Sequence, residues 1–228
     1  MMGLPFVRSF RALVHPGTAF IGPAPPLGKA FRAMALVWVP LALANAVLTL
    51  RQGIQAYEAL RGGQLSSGVM ERLGVDPAGF HELLAALPPA PGFGRIWPWL
   101  LLVVPLGVLS TWLHHAVWDH AGLWLLGGLK NKRGFRASLQ AEAEALRITA
   151  VGTLLGLLGF LPWVGVVVAL PFLLLNAYLW LFRGFALAAR HECEPWRGIG
   201  ATVVHAVLLG CSACGLLLLM LALVRMVV

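Results

Sequence analysis

The stretch Ile199–Val224, IGATVVHAVLLGCSACGLLLLMLALV, contains no Asp, Glu, Lys or Arg. A helix needs about 20 such residues to cross the hydrocarbon of a bilayer, where its backbone amides bond within the helix and its side chains face oil. Apolar runs with at most one charged residue occur at Ala33–Leu50, Ile96–Leu126, Ala145–Leu161 and Val166–Phe185. They predict an all-α polytopic integral membrane protein, a bundle of five transmembrane helices with spans at about 33–50, 96–126, 145–161, 166–185 and 199–224. Of the 228 residues, 59% are hydrophobic and only 11% charged, against roughly 25% charged in soluble domains. Such a chain cannot cover a water-facing surface, and the spans leave no room for a separate soluble catalytic domain.

Working toward the N-terminus, Phe6, Phe10, Leu13 and Val14 fall on one helical face and Arg8 and Arg11 on the other. Pro5–His15 is therefore predicted to be an amphipathic interfacial helix, with no secretory signal peptide. Residues 1–32 form this arm and a Pro/Gly-rich linker, and 33–228 the membrane domain. Residues 51–95 mix four Arg with Glu58, Glu71, Asp76 and Glu82 and form the one sizeable extramembrane loop. Within it Asp76-Pro77 reads as a helix start and Pro88-Pro89 as its end. Lys130–Arg136 is a second basic segment, leading through Glu142 and Glu144 into the third span, and Pro162–Gly165 is a tight hairpin.

The net charge of +8 comes from Lys and Arg gathered at helix ends, which is how membrane topology uses them, so no nucleic-acid partner is expected. The arm, the 127–147 region and the 183–197 turn hold most of the 17 basic residues. By the positive-inside rule the N-terminus is cytoplasmic and the C-terminus outside. Arg far outnumbers Lys amid abundant Ala, Gly and Leu, which suggests a prokaryotic cytoplasmic membrane.

The chemistry-bearing residues are few. His115 and Asp119 are four apart and share a helix face; with His120 and His191 they are candidate metal ligands, near Glu192, Cys193 and Glu194. His114 and Asp119 show an HxxxxD spacing like that of an acyl-transfer acid/base pair, without the companions that chemistry needs. Asn45, Asn176 and His205 are polar groups within the membrane, and His205 with Asp119 and His120 is a candidate proton relay. Gly152 and Gly156 form a GxxxG, and Thr202, Ala206, Gly210 and Cys214 a stripe of small residues, both suited to close helix packing. Cys211 and Cys214, though spaced as CxxC, lie in an apolar helix that does not activate a thiol.

The order of features, with His120 ahead of Gly127-Gly128, then Phe135-Arg136, a hairpin at Pro162, and Arg190-His191 before Trp196-Arg197, resembles the YIP domain family of five-span membrane proteins. That resemblance implies a five-helix membrane domain and no catalytic residue. GTPase binding is not implied, because the acidic, aromatic N-terminal motif of the eukaryotic members is missing. Three functions are open from the sequence: a non-enzymatic membrane-organising protein that binds lipids or a protein partner, a small solute, ion or lipid transporter, and a metal-dependent membrane enzyme. The first calls for no cofactor, the third for a divalent metal; an oligomer suits any of them.

Overall fold

A computed structural model describes residues 11–62, 82, 86–131, 133–161 and 164–227. Among them five helices are long and apolar enough to cross a membrane, and no strand occurs. The chain is thus a multi-pass membrane protein. The helices are α1 (Leu27–Arg61), α2 (Phe93–Leu125), α3 (Gly134–Gly156, prolonged by a 3-10 turn Leu157–Phe160), α4 (Val164–His191) and α5 (Pro195–Val227).

Most of these helices run well past the apolar stretches that announced them. α1 reaches Arg61 rather than ending near residue 50, and α3 starts at Gly134 rather than near 145. Glu142 and Glu144, expected to lead into the third span, consequently lie about two turns inside α3. The physical reason is that hydropathy marks where oil ends, whereas Ala137, Gln140, Ala141, Glu142, Ala143 and Glu144 are good helix formers that continue the helix past that point. Arg183 and Arg190 likewise belong to α4 rather than to a polar turn.

Of the expected amphipathic helix, 5–10 lie outside the described residues. Arg11–Val14 is helical, His15 N–H donates to Arg11 O at 3.0 Å, and a single turn Pro16–Ala19 follows. The helix expected after Asp76 falls almost wholly outside the described residues, as do Lys132 and Pro162–Trp163.

The chain divides into two compact units, Ala42–Leu106 and Met1–Leu41 with Gly107–Val228. In the smaller unit the end of α1 secures the proline segment before α2. Glu58 accepts Ala90 N–H at 2.6 Å, while Arg61 donates to Leu87 O at 3.0 Å and Tyr57 to Pro88 O at 2.7 Å. Side chains do this work because two consecutive prolines offer no amide donors.

In the larger unit the helices cross closely where glycine allows it. A Cβ on Gly198 would stand 2.1 Å from Gly184 O, and one on Gly122 2.8 Å from Ala201 O. Gly152 and Gly156 face Leu179 and Phe172, whose side-chain carbons would lie 2.4 and 2.9 Å from an added Cβ, so the GxxxG packs α3 against α4. The stripe on α5 behaves differently from expectation. Thr202 is buried, with its carbonyl accepting from Trp180 Nε1 at 2.7 Å, but Ala206, Gly210 and Cys214 are exposed and nothing lies within 4 Å of a Cβ on Gly210. Close packing follows the face defined by Gly198, Ala201 and His205 instead, roughly one helical turn apart each.

Burial is concentrated at one end of this unit. Phe20, Leu123, Ala141, Phe182, Leu187 and Ala201 share one core, whereas Val167, Leu170, Leu173 and Leu216–Met220 are exposed, as lipid-facing residues should be. The Lys/Arg/His-free runs in the sequence end at His114 in α2, Arg147 in α3, Arg183 in α4 and His205 in α5. Three of these, His114, Arg183 and His205, belong to one side-chain cluster described below. The packed core thus extends from that level toward the basic end, beyond the purely apolar lengths of the helices.

Turns at the basic end are closed by side chains. α2 ends in a six-to-one bond, Gly128 N–H to Leu123 O at 2.8 Å, with Gly127 at φ +67°, a conformation glycine adopts without penalty. Arg197 donates to Leu126 O at 2.9 Å and Gly127 O at 2.5 Å, placing a cation on the negative end of the helix dipole.

Glycine at the α4–α5 crossing should be irreplaceable. Gly198→Val is expected to lower stability by about 1–3 kcal/mol through overpacking, and Gly210→Val to leave it unchanged. Thermal denaturation of the detergent-solubilised variants, followed by size-exclusion recovery, checks the contrast.

Candidate functional site

Each of α2 to α5 contributes one ionisable side chain to a buried cluster: Asp119, Glu142, Arg183 and His205, all at most 2% exposed. Arg183 is the hub. Its Nη2 donates to Asp119 Oδ2 at 2.5 Å and its Nε to Glu142 Oε2 at 2.9 Å. The second oxygen of Asp119 lies 2.6 Å from His205 Nδ1, and His205 Nε2 is 3.3 Å from His114 Nε2. His115 Nδ1 stands 3.9 Å from Glu142 Oε2. Trp180 walls the cluster, with the Arg183 guanidinium 4.5 Å above its ring and the His205 ring 5.1 Å away.

Helical spacing explains why these groups meet. Asp119 and His115 are one turn apart on α2, and Arg183 projects from α4 next to Gly184, where the lack of a side chain lets α5 come close enough to bring His205 in. Two carboxylates around one guanidinium leave a surplus negative charge, which a proton on an imidazole or a carboxylate cancels. His115 Nδ1, Glu142 Oε1 and Arg183 Nη1 are buried without a protein partner. This fits a cluster that also takes up a small polar guest such as water.

A second, smaller set lies toward the basic end. Ser138 Oγ is 2.8 Å from both His120 Nδ1 and His191 Nε2, tying α2, α3 and α4 together. Beyond it Arg190 makes a two-pronged pair with Glu144, at 2.8 and 2.6 Å, and donates to Gly22 O at 2.8 Å. The N-terminal arm is held there as well by Gln140 Nε2 on Pro25 O at 2.8 Å and by Phe20, whose ring is 5.4 Å from Phe182.

The four sequence candidates for a metal site are therefore divided. His115 and Asp119 belong to the arginine cluster, while His120 and His191 share Ser138. Among the described residues no group of three or more His, Cys, Asp or Glu is arranged to hold a metal ion. The relay candidates divide in the same way, since His205 meets Asp119 and His120 turns to Ser138. His114 and Asp119, an HxxxxD pair in sequence, are linked through the imidazole of His205. Asn176 is exposed and donates to Phe172 O of its own helix at 2.7 Å; Asn45 is half-buried on α1.

Sequence reading missed Arg183 and Ser138 and gave Glu142 no role beyond leading into the third span. The available signal was Arg183 itself, a cation with seven residues still to run before His191. An ionisable group in that position needs a named partner.

At the α4–α5 turn Glu192 adopts φ +53°, the left-handed C-cap, and Cys193 N–H closes it on Ala188 O at 3.0 Å. Asn131 Nδ2 donates to Glu192 O at 2.8 Å, and Arg133 pairs with the Glu192 carboxylate. That hydrogen bond holds the Glu192 carboxyl below its usual range and raises the Arg133 guanidinium. Burial, followed by the neighbouring Glu194, pushes the Cys193 thiol up.

Comparison with known proteins gave no match: no family model, no curated protein and no solved structure is similar to this chain.

Removing the hub should be far worse than removing the whole set. Arg183→Met, which strands two buried carboxylates, is expected to destabilise by about 3–5 kcal/mol. The triple variant Arg183→Met, Asp119→Asn, Glu142→Gln should recover most of that loss, as read from midpoints of thermal denaturation in detergent. The surface pair has a pH signature of its own. Because the folded Glu192 carboxyl titrates below its unfolded value, its stabilisation is present above the ordinary glutamate range and disappears as pH falls through the folded value. The difference in midpoint between wild type and Glu192→Gln should thus be level near neutrality and shrink on acidification.

Proposed function

We propose that this chain is a non-enzymatic membrane protein that works through its basic end, binding lipid or a partner protein there, with that end facing the cytoplasm of a prokaryotic cell membrane. The observation that carries this reading is the engagement of the buried ionisable groups with one another. Asp119 and Glu142 hold Arg183, and Asp119 also holds His205, so these groups join four helices rather than await a substrate. Neither of two grooves at the basic end is lined by any of the four. Outside the core, Lys29, Arg32, Lys130 and Arg136 remain exposed and available to an anionic surface. The resemblance to YIP domain proteins supports the same reading, since of the matched positions His120, Gly127, Gly128, Phe135, Pro162 and His191 all but Pro162 stand at this end.

A second reading, proton-coupled transport, is favoured by the chain Asp119–His205–His114. It runs from a fully buried carboxylate to an imidazole at an exposed position on α2. Reconstitution separates the two. Proteoliposomes holding the purified chain and an entrapped pH dye are expected to dissipate an imposed proton gradient no faster than protein-free vesicles. Faster dissipation that Asp119→Asn abolishes would establish transport instead. Orientation is checked in cells with a membrane-impermeant maleimide: Cys193 should react only after permeabilisation, and more readily in mildly alkaline buffer because its thiol is raised.

A further inference from the structure

We infer that the groove between α2 and the start of α3 is a binding site for one anionic phospholipid, its upper acyl chain lying in the groove and its phosphate between Lys130 and Arg136. This rests on the reading that the basic end binds lipid, and it names the site and the ligand class.

The groove has a volume of about 510 Å³ and is lined by Val117, His120, Ala121, Trp124, Leu129 and Phe135, within the usual range for ligand sites of roughly 300–1,000 Å³. Its position singles it out. His120, Ala121 and Trp124 come after Asp119, and so lie on the basic side of the level where the helices lose their purely apolar character. Apolar surface there is at head-group depth, where the bilayer does not supply a continuous oil phase. Trp124 is nevertheless 67% exposed and Leu125 62%. Tryptophan suits this depth, with an apolar ring and a polar N–H.

Two cations are next in the chain to lining residues. Lys130 and Arg136 directly follow the lining residues Leu129 and Phe135, and both are exposed. The described acids at this end are engaged elsewhere: Glu192 by Arg133, Glu144 by Arg190, Glu194 by Arg197 and Glu142 by Arg183. Two free cations beside an apolar groove complement a phosphate on an acyl chain, a combination that neither a zwitterionic lipid nor a free phosphate satisfies as well. The groove is also preformed. His120 is pinned by Ser138 and stacks edge-on against Phe135 at 5.4 Å, and Arg197 fixes the Leu126–Gly127 turn that leads to Leu129.

Native mass spectrometry of the full chain in mild detergent tests this, with phosphatidylglycerol and phosphatidylcholine of identical chains as probes. The wild type is expected to retain one phosphatidylglycerol in preference to phosphatidylcholine. Each cation near an anionic head contributes about fivefold, so Lys130→Gln with Arg136→Gln should reduce the preference roughly 25-fold. Ala121→Trp, which fills the groove and keeps both cations, should lose the bound lipid. Lys29→Gln with Arg32→Gln, at the same end but outside the groove, should keep it. Glycerol phosphate should not displace it. Variants are compared only where elution and helicity match the wild type.

If the preference for phosphatidylglycerol survives both groove variants, the groove is excluded while lipid binding by the basic end stands. If the wild type shows no preference, lipid binding at that end fails as well. Displacement by glycerol phosphate would overturn the lipid as occupant.

Discussion

A guanidinium cannot be left alone at the edge of oil, and the larger unit of this protein is organised around that constraint. Arg183 sits where the apolar length of α4 ends, and its charge is met by a carboxylate from α2 and another from α3. Leaving such a charge unpaired would cost several kcal/mol, so α2, α3 and α4 are bound to one register about it. The register of α5 is set in turn by His205 on the free oxygen of Asp119. Shifting any one helix by a residue would rotate its group by about 100° and leave the others unpaired. Apolar packing between membrane helices offers no such specificity, because a leucine is equally comfortable against lipid.

Glycine makes this geometry possible. The chain places Gly184 immediately after Arg183, and Gly198 one residue before Ile199 and seven before His205. Each removes a side chain that would hold α4 and α5 apart, about two turns toward the basic end from the level where imidazole and carboxylate meet. The polar cluster and the glycine contacts are thus two parts of one device. Close approach shortens the distance between the charged groups, and their attraction holds together backbones that hydrophobic forces alone would not in a bilayer.

How much of this was legible in the sequence depends on which interaction sets each feature. The five helices were, because the transfer of some twenty predominantly apolar residues into oil is a local property of each run. Their lengths were not, because Ala137–Glu144 is helical for reasons of propensity that hydropathy does not register. His115 and Asp119 were correctly placed on one face, since a spacing of four is local. Their partners were not, because which residue of α3 or α4 they meet depends on how helices 23 to 68 residues away in sequence cross them. Gly152 and Gly156 lie against Leu179 and Phe172 of α4. The stripe from Thr202 to Cys214 shows that small residues permit close approach without determining it: past Thr202 none of the described residues comes to meet them.

The division between the two polar sets bears on what the protein can do. The Arg183 cluster is deep and its charges are paired across the helices, with Arg183 Nη1 and Glu142 Oε1 left without a protein partner, so its first consequence is structural: it holds four helices in one arrangement. The set at Ser138 lies one turn nearer the basic end, where His120 forms part of a groove wall and His191 ends α4. Rigidity at the first set is what gives the second a fixed shape, since His120 follows Asp119 in the chain and cannot turn without disturbing it. The wall of the groove beside His120 is therefore tied to the charge pairing one residue away, and the pairing that solves the problem of an arginine near oil also fixes the position of the residues that follow it on α2.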